Sequence, residues 1–172
     1  MSAAQANSRQ SSSRIDGAQS PHLSSKNTLK LAVFGINVSS SYTKSSAEGT
    51  IQVTWAESKH IAQAAARIGV DGMVPVARWR GFGEDVDFNH RSFETYTWAA
   101  GLAAATEKIW IFFTWHVPTI HPILATKQGA TIDHISGGRF ALNIVAGWNE
   151  TEIAMFGAPQ KLRDDRYAVA NE

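Results

Sequence analysis

The sequence has 172 residues and a hydrophobic fraction of 44%, enough for one domain with a packed core. A net charge of +1 excludes a basic arm for nucleic acid or for membrane surfaces. The absence of cysteine excludes disulfides, thiolate metal sites and a cysteine nucleophile. No apolar stretch approaches the ~20 residues needed to span a bilayer, and the N-terminus has no apolar signal core. The expectation is a cytoplasmic protein.

Residues 1–28 are rich in Ser, Gln and Asn and nearly free of large apolar side chains. Such a segment cannot bury enough surface to offset its ordering entropy, so it reads as a disordered leader before a folded domain at 29–172. Its serines, Arg9 and Arg14 also leave a transit peptide open, although its amphipathic pattern is poor.

From Leu29 onward short apolar runs alternate with helical patterns. Leu29–Ile36 reads as a buried strand. Trp55–Ile68 reads as a helix with Ile61, Ala62, Ala65 and Ile68 on one face and Gly69 after its end. Gly72–Val76 is a second short strand, weakened by Pro75, which has no N–H for a ladder. A loop from Arg80 to His90 follows. Ser92 is positioned to cap an Ala-rich helix over Phe93–Glu107.

Ile109–Thr114 is an aromatic, β-branched third strand. Pro122 suits the first turn of a helix running to about Ile135, and Gly137-Gly138 stops it. Arg139–Val145 is a fourth strand, followed by a loop at Gly147–Pro159 and a last helix at Leu162–Glu172. This β-α-β-α-β-α-β-α order predicts an α/β fold with right-handed crossovers and a parallel sheet. It fits an open doubly wound sheet or part of a (β/α)8 barrel. A whole barrel needs about 250 residues, so four strands make about half of one.

In both architectures ligands bind where parallel strands end. The first strand is followed by Asn37, and the second by Arg78, Trp79 and Arg80. The third ends in Thr114, Trp115 and His116. The fourth carries Asn143 and exits at Gly147, Trp148 and Asn149. Indoles offer flat apolar surface, Arg78 and Arg166 offer fixed cations, and Asn143 offers a donor and an acceptor. That composition suits a large, planar, anionic cofactor. Loops are polar in any protein, so a rim without a ligand also stays open.

Sharper motifs fail. No G-x-G-x-x-G follows a strand, and neither a Walker A loop nor a G-x-S-x-G elbow occurs. Ser136–Arg139 resembles a phosphate loop, but it lies between a helix and a strand and reads better as a helix C-cap and tight turn. His116 and His121 are five apart, which fits no standard metal pair, so no metal is expected. His116 reads as an active-site hydrogen-bonding group, and His121 as a helix cap. Capping accounts for Glu94. Glu152 reads as either a solvated loop acid or a site residue beside Trp148.

The stretches ARWRGFG (77–83), SFETYTWAAGLAAATEKI (92–109), KQGATIDHISGGRFALNIVAGW (127–148) and DRY (165–167) resemble bacterial-luciferase-like flavin monooxygenases. The likeness is to the branch with the alkanesulfonate, dimethylsulfone and pyrimidine monooxygenases, and the longest run is nearest the pyrimidine type. It covers residues 29–172.

The resemblance implies a (β/α)8 barrel that takes reduced FMN from a separate NAD(P)H-dependent flavin reductase. With O2 it would oxygenate a small sulfonate-, sulfone- or pyrimidine-like substrate, as a homo-oligomer when full length. It places FMN contacts at Ala77, Arg78, Asn143, Glu152, Arg166 and Tyr167. Trp115, His116 and Trp148 become the candidates for the catalytic wall that excludes water. Ala77-Arg78 stands where the pyrimidine enzymes carry a bulkier aliphatic and lysine, and Trp115-His116 replaces small residues. The first departure bears on the substrate more than on the cofactor, and the second points to a pocket of different shape.

The family's second half, with strands five to eight and most of the phosphate clamp, has no counterpart here. The chain therefore reads as an N-terminal half barrel, expected to bind FMN weakly and to associate through open sheet edges. Two other readings stand beside oxygenation: a flavin-dependent hydride transfer without O2, and a truncated product that acts only by association.

Overall fold

A computed structural model describes residues 26–83, 85–86, 88–158 and 163–171. Residues 1–25 of the expected leader lie outside the described residues; 26–28 are exposed and belong to no helix or strand. Four strands alternate with helices: β1 (Ala32–Phe34), α1 (Trp55–Arg67), β2 (Gly72–Val74), α2 (Thr95–Ala105), β3 (Trp110–His116), α3 (Pro122–Ser136) and β4 (Phe140–Val145). Two more helices follow, α4 (Glu150–Met155) and α5 (Arg163–Asn171).

The strands form one sheet in the order β1-β2-β3-β4, and each neighbouring pair is parallel. A doubly wound sheet reverses its strand order at a switch point. The unbroken order found here is that of a barrel arc, four successive β/α units of a (β/α)8 fold.

Local chemistry sets the lengths. β2 stops at Val74 because Pro75 has no N–H to continue the ladder. β1, expected to cover eight residues, pairs over three, because its partner is short and Gly35 turns out of the strand at φ +80°. β3 and β4 share six paired positions, so β3 runs two residues further than expected, to His116. The helix after β2 starts at Thr95 rather than Phe93. Ser92 is engaged in an antiparallel bridge with Val38, and Glu94 caps instead, accepting from Tyr96 N and Thr97 N at 2.8 Å each. Gly137 ends α3 in the left-handed region at φ +64°, as the Gly-Gly pair predicts.

The core lies between the sheet and helices α1–α3. Met73, Ile111 and Phe113 pack with Ala62, Ala65, Ala99, Leu102, Ala125 and Ile132. Because side chains alternate across a strand, this fixes the faces. Ile111, Phe113 and Trp115 of β3 face the helices; Phe112, Thr114 and His116 face the inner side. Among the described residues no helix is long and apolar enough to cross a membrane.

Candidate active site

The strand ends converge on a buried ion pair. Arg78 follows β2, and Glu152 lies in the first turn of α4, after β4. Arg78 Nη1 donates to Glu152 Oε2 at 3.0 Å, with side chains 4% and 0% exposed. The other carboxylate oxygen accepts from the backbone N–H of Trp79 at 2.7 Å and of Arg80 at 3.3 Å. Buried charge is tolerated only where it is paired and its remaining lone pairs are used, and both conditions hold for Glu152. The Arg78 carbonyl accepts from Ser92 Oγ at 2.8 Å.

An aromatic layer covers the guanidinium. Arg78 lies 4.7 Å from the Phe82 ring centre and 5.5 Å from that of Trp148. Phe82 stacks on Phe88 at 4.6 Å, and Lys44 sits 4.9 Å from the Phe88 ring. These separations lie within the range of cation–π attraction, so cations and rings alternate across three rim loops. Trp148 remains 55% exposed, so much of its surface is open to a ligand.

β3 ends beneath this pair. His116 is buried and shares a narrow cleft with Ala77, Arg78, Thr95, Thr114 and Thr119. Two residues back on the same face, Thr114 Oγ1 donates to the Pro75 carbonyl at 2.6 Å and accepts from Asn143 Nδ2 at 3.1 Å. His116, Thr114 and Asn143 thus share the inner face.

Burial holds the His116 imidazole below its ordinary pKa; Glu152 opposes the shift and Arg78 adds to it. A folded-state value below the unfolded one means that the unfolded chain takes up the proton first. The stability is therefore present above the unfolded value, about 6.5, and is lost as pH falls through the lowered folded value. The urea midpoint is expected to drop between pH 7.5 and 5.5. His116→Gln should flatten that slope; an unchanged slope in the variant would assign the acid sensitivity to other groups.

The remaining expected site residues fall in different places. Ala77 is buried beside Arg78. Arg166, on α5, donates through Nη1 to the Gly147 carbonyl at the β4 exit, and Tyr167 is 56% exposed. Trp115 lies on the opposite face of β3 from His116. Its indole packs on the helix-side core and donates to the Ile120 carbonyl at 3.3 Å. A groove of about 430 Å³, lined by Trp115, Phe113, Gly129, Phe140 and Leu142, lies on that helix side, away from Arg78 and Glu152.

The segment expected as a loop contains α4, capped by Asn149. Its signal was present in the sequence, since Asn149 precedes Glu152 by the three residues of a capping pattern. Asn37 was placed only as a strand-end residue, yet it is fully buried and joins two rim segments. It accepts from Val76 N at 2.8 Å and donates to the Val76 and Phe93 carbonyls at 2.8 and 3.3 Å.

Residues 34–172 match the family described as luciferase-like monooxygenase. The chain belongs to that family. Among curated luciferase-like relatives, the pyrimidine monooxygenase RutA of Pseudomonas savastanoi pv. phaseolicola is 40% identical over 104 residues, 60% of this chain and 29% of the relative. RutA of Caulobacter vibrioides is 40% identical over 99 residues, 58% of this chain and 28% of the relative. The chain thus matches under a third of the length of these relatives.

Among solved structures, riboflavin lyase RcaE, determined with modified FMN and riboflavin, superposes with a TM-score of 0.73 at 26% identity, over 84% of this chain and 36% of that one. EDTA monooxygenase EmoA from Chelativorans sp. BNC1 gives 0.72 at 22% identity, over 83% of this chain and 35% of that one.

Proposed function

We propose that this chain supplies the first four β/α units of a flavin-dependent monooxygenase that uses reduced FMN and O2 to oxygenate a small organic substrate. The observation that carries this reading is the rim. Arg78, Glu152, Trp148, His116 and Asn143 come from three different strand ends and collect on one side of the sheet, where a barrel of this family places its chemistry. The relatives' names add a monooxygenase activity on pyrimidines; sulfonates and sulfones remain substrate classes to test beside pyrimidines.

The residues fit a flavin. Exposed Trp148 offers a flat face, the Arg78 guanidinium lies buried behind it, and Arg166 places a cation at the β4 exit. The Nε atoms of Arg78 and Arg166 are buried without a hydrogen-bond partner among the described residues, which leaves donor capacity. Arg166, Tyr167 and Asn143 would hold the cofactor from the β4 side, and Ala77 with Arg78 from the β2 side. Bound and reduced, FMN would supply the electrons that activate O2.

The chain's own residues orient and desolvate. Trp148 and Phe82 shield the guanidinium, and His116, kept neutral by burial near pH 7, is placed to donate or accept one hydrogen bond at the inner face. A separate NAD(P)H-dependent flavin reductase is the proposed electron source, and the complete protein is proposed to be a homo-oligomer in the cytoplasm.

The test uses photoreduced FMN and an oxygen electrode, with uracil, methanesulfonate and dimethylsulfone as candidate substrates. Substrate-dependent oxygen uptake with an oxygenated product by the eight-unit protein supports the proposal. Flavin oxidation coupled to substrate reduction without oxygen uptake would replace it with hydride transfer. The 172-residue chain is expected to bind FMN at least roughly tenfold more weakly than an eight-unit protein, about 1.4 kcal/mol or more. β1 and β4 leave edges available for self-pairing, which sizing chromatography would report as association. A tight one-to-one FMN complex of the four-unit chain would overturn that expectation.

A further inference from the structure

Glu152 is expected among the flavin contacts, yet its geometry gives it another task. The residue is 0% exposed, and both carboxylate oxygens are committed within the protein. Oε2 takes Arg78 Nη1, and Oε1 takes the consecutive N–H groups of Trp79 and Arg80. The two partners of the ion pair come from the exits of β2 and β4, and β3 lies between those strands in the sheet. The bridge therefore joins the loops on either side of the strand end that carries His116, whose imidazole feels both charges. It also fixes Arg78 where its guanidinium meets the rings of Phe82 and Trp148.

We infer that Glu152 is a positioning residue: it holds the backbone of residues 78–80 and the Arg78 guanidinium in place, and so shapes the cofactor-facing rim without touching the cofactor. The cofactor's identity rests on the function proposed above; the bridge itself does not. A carboxylate suits the task because it accepts from three donors that point at one spot, two of them successive backbone amides. Glutamine, nearly the same size, has one acceptor end for two sets of donors: in either orientation its NH2 group meets Arg78 or the amides in donor–donor conflict, which drives the side chain out of the bridge and frees the amides. Space-filling is conserved in Glu152→Gln and the bridge is not, so the substitution separates the two roles.

The experiment is amide hydrogen exchange on the 172-residue chain, read at Trp79 and Arg80 and at control amides in α1 and α3. Glu152→Gln is expected to speed exchange at the two rim amides by roughly tenfold or more, with the controls unchanged. Wild-type protection at Trp79 and Arg80 in that variant overturns the inference. Arg78→Lys is the second variant, useful where the first loses structure. It leaves Oε1 bonded to the amides, so protection there should stay within about twofold of wild type; its loss counts against the inference.

An FMN titration followed by flavin fluorescence supplies the opposing outcome. Weaker FMN binding by Glu152→Gln with unchanged amide protection would make Glu152 a direct ligand. Failure of the wild-type chain and of the eight-unit protein to bind FMN would sink the flavin reading and leave the exchange result standing.

Discussion

Replacing Arg139 with methionine is expected to lower stability by about 3–4 kcal/mol, read as a fall in the urea midpoint at constant slope. The reason lies at the end of a different element. α2 stops at Ala105 with Thr106 in extended backbone; it has no glycine cap and no basic residue in its last turn. A helix C-terminus of this kind leaves carbonyls unsatisfied and carries a partial negative charge.

Arg139, just before β4, supplies both missing terms. Nη2 donates to the Ala103 and Thr106 carbonyls at 2.8 and 2.9 Å, Nη1 to the Ile109 carbonyl and Thr106 Oγ1 at 3.0 and 3.2 Å, and Nε to the Ser136 carbonyl at 2.8 Å. All five acceptors are neutral and the guanidinium is buried, so methionine would fill the volume but strand the carbonyls. Against a total stability of about 5–15 kcal/mol, that loss leaves a small margin. Arg139→Lys, with one ammonium in place of a fork, should recover less than half of it. A loss under about 1 kcal/mol for the methionine variant would mean that water replaces the clamp.

The same residue shows where sequence reading reached and where it stopped. The Gly137-Gly138 pair announced a helix end in left-handed backbone, and a C-cap is what the structure contains. Nothing local announced that Arg139 would serve the end of α2, because that contact spans more than thirty positions. Fold class and element order were legible for a related reason: strand and helix periods are local, and four strands separated by helices leave few topologies. The strand order then decided between the two that remained.

Facing was less legible. Trp115 and His116 are adjacent in sequence, so they lie on opposite sides of β3. Reading both as rim residues required the strand to end at Thr114, whereas pairing with β4 carries it through His116. Glu152 was ambiguous because burial of an acid depends on donors elsewhere in the chain, here Arg78 and two amides over seventy positions away.

Glu152→Ala is the second large effect. Removal of the carboxylate leaves a guanidinium 4% exposed with no compensating charge from Glu152, and deprives the Trp79 and Arg80 amides of their acceptor. Breaking a buried pair from one side costs about 3–5 kcal/mol, mostly the desolvation of the charge left behind. A urea unfolding series on the single and double variants tests this and separates stability from function. Arg78→Met combined with Glu152→Leu removes both charges and fills the space. It should return the part of the stability lost by Glu152→Ala that comes from the stranded guanidinium, because two apolar side chains need no solvation, while the share of the Trp79 and Arg80 amides stays lost. The coupling between the two positions, read from the cycle of Arg78→Met, Glu152→Leu and their double variant, should exceed about 2 kcal/mol.

A Glu152→Ala loss below about 1 kcal/mol would place the pair in effectively aqueous surroundings, against its burial in the structure. The double variant is also the more informative one for cofactor binding in the complete protein. It should fold, yet lack the cation that Trp148 and Phe82 enclose. FMN affinity should therefore stay low after stability has recovered, and recovery of both together would show that the pair serves only the fold.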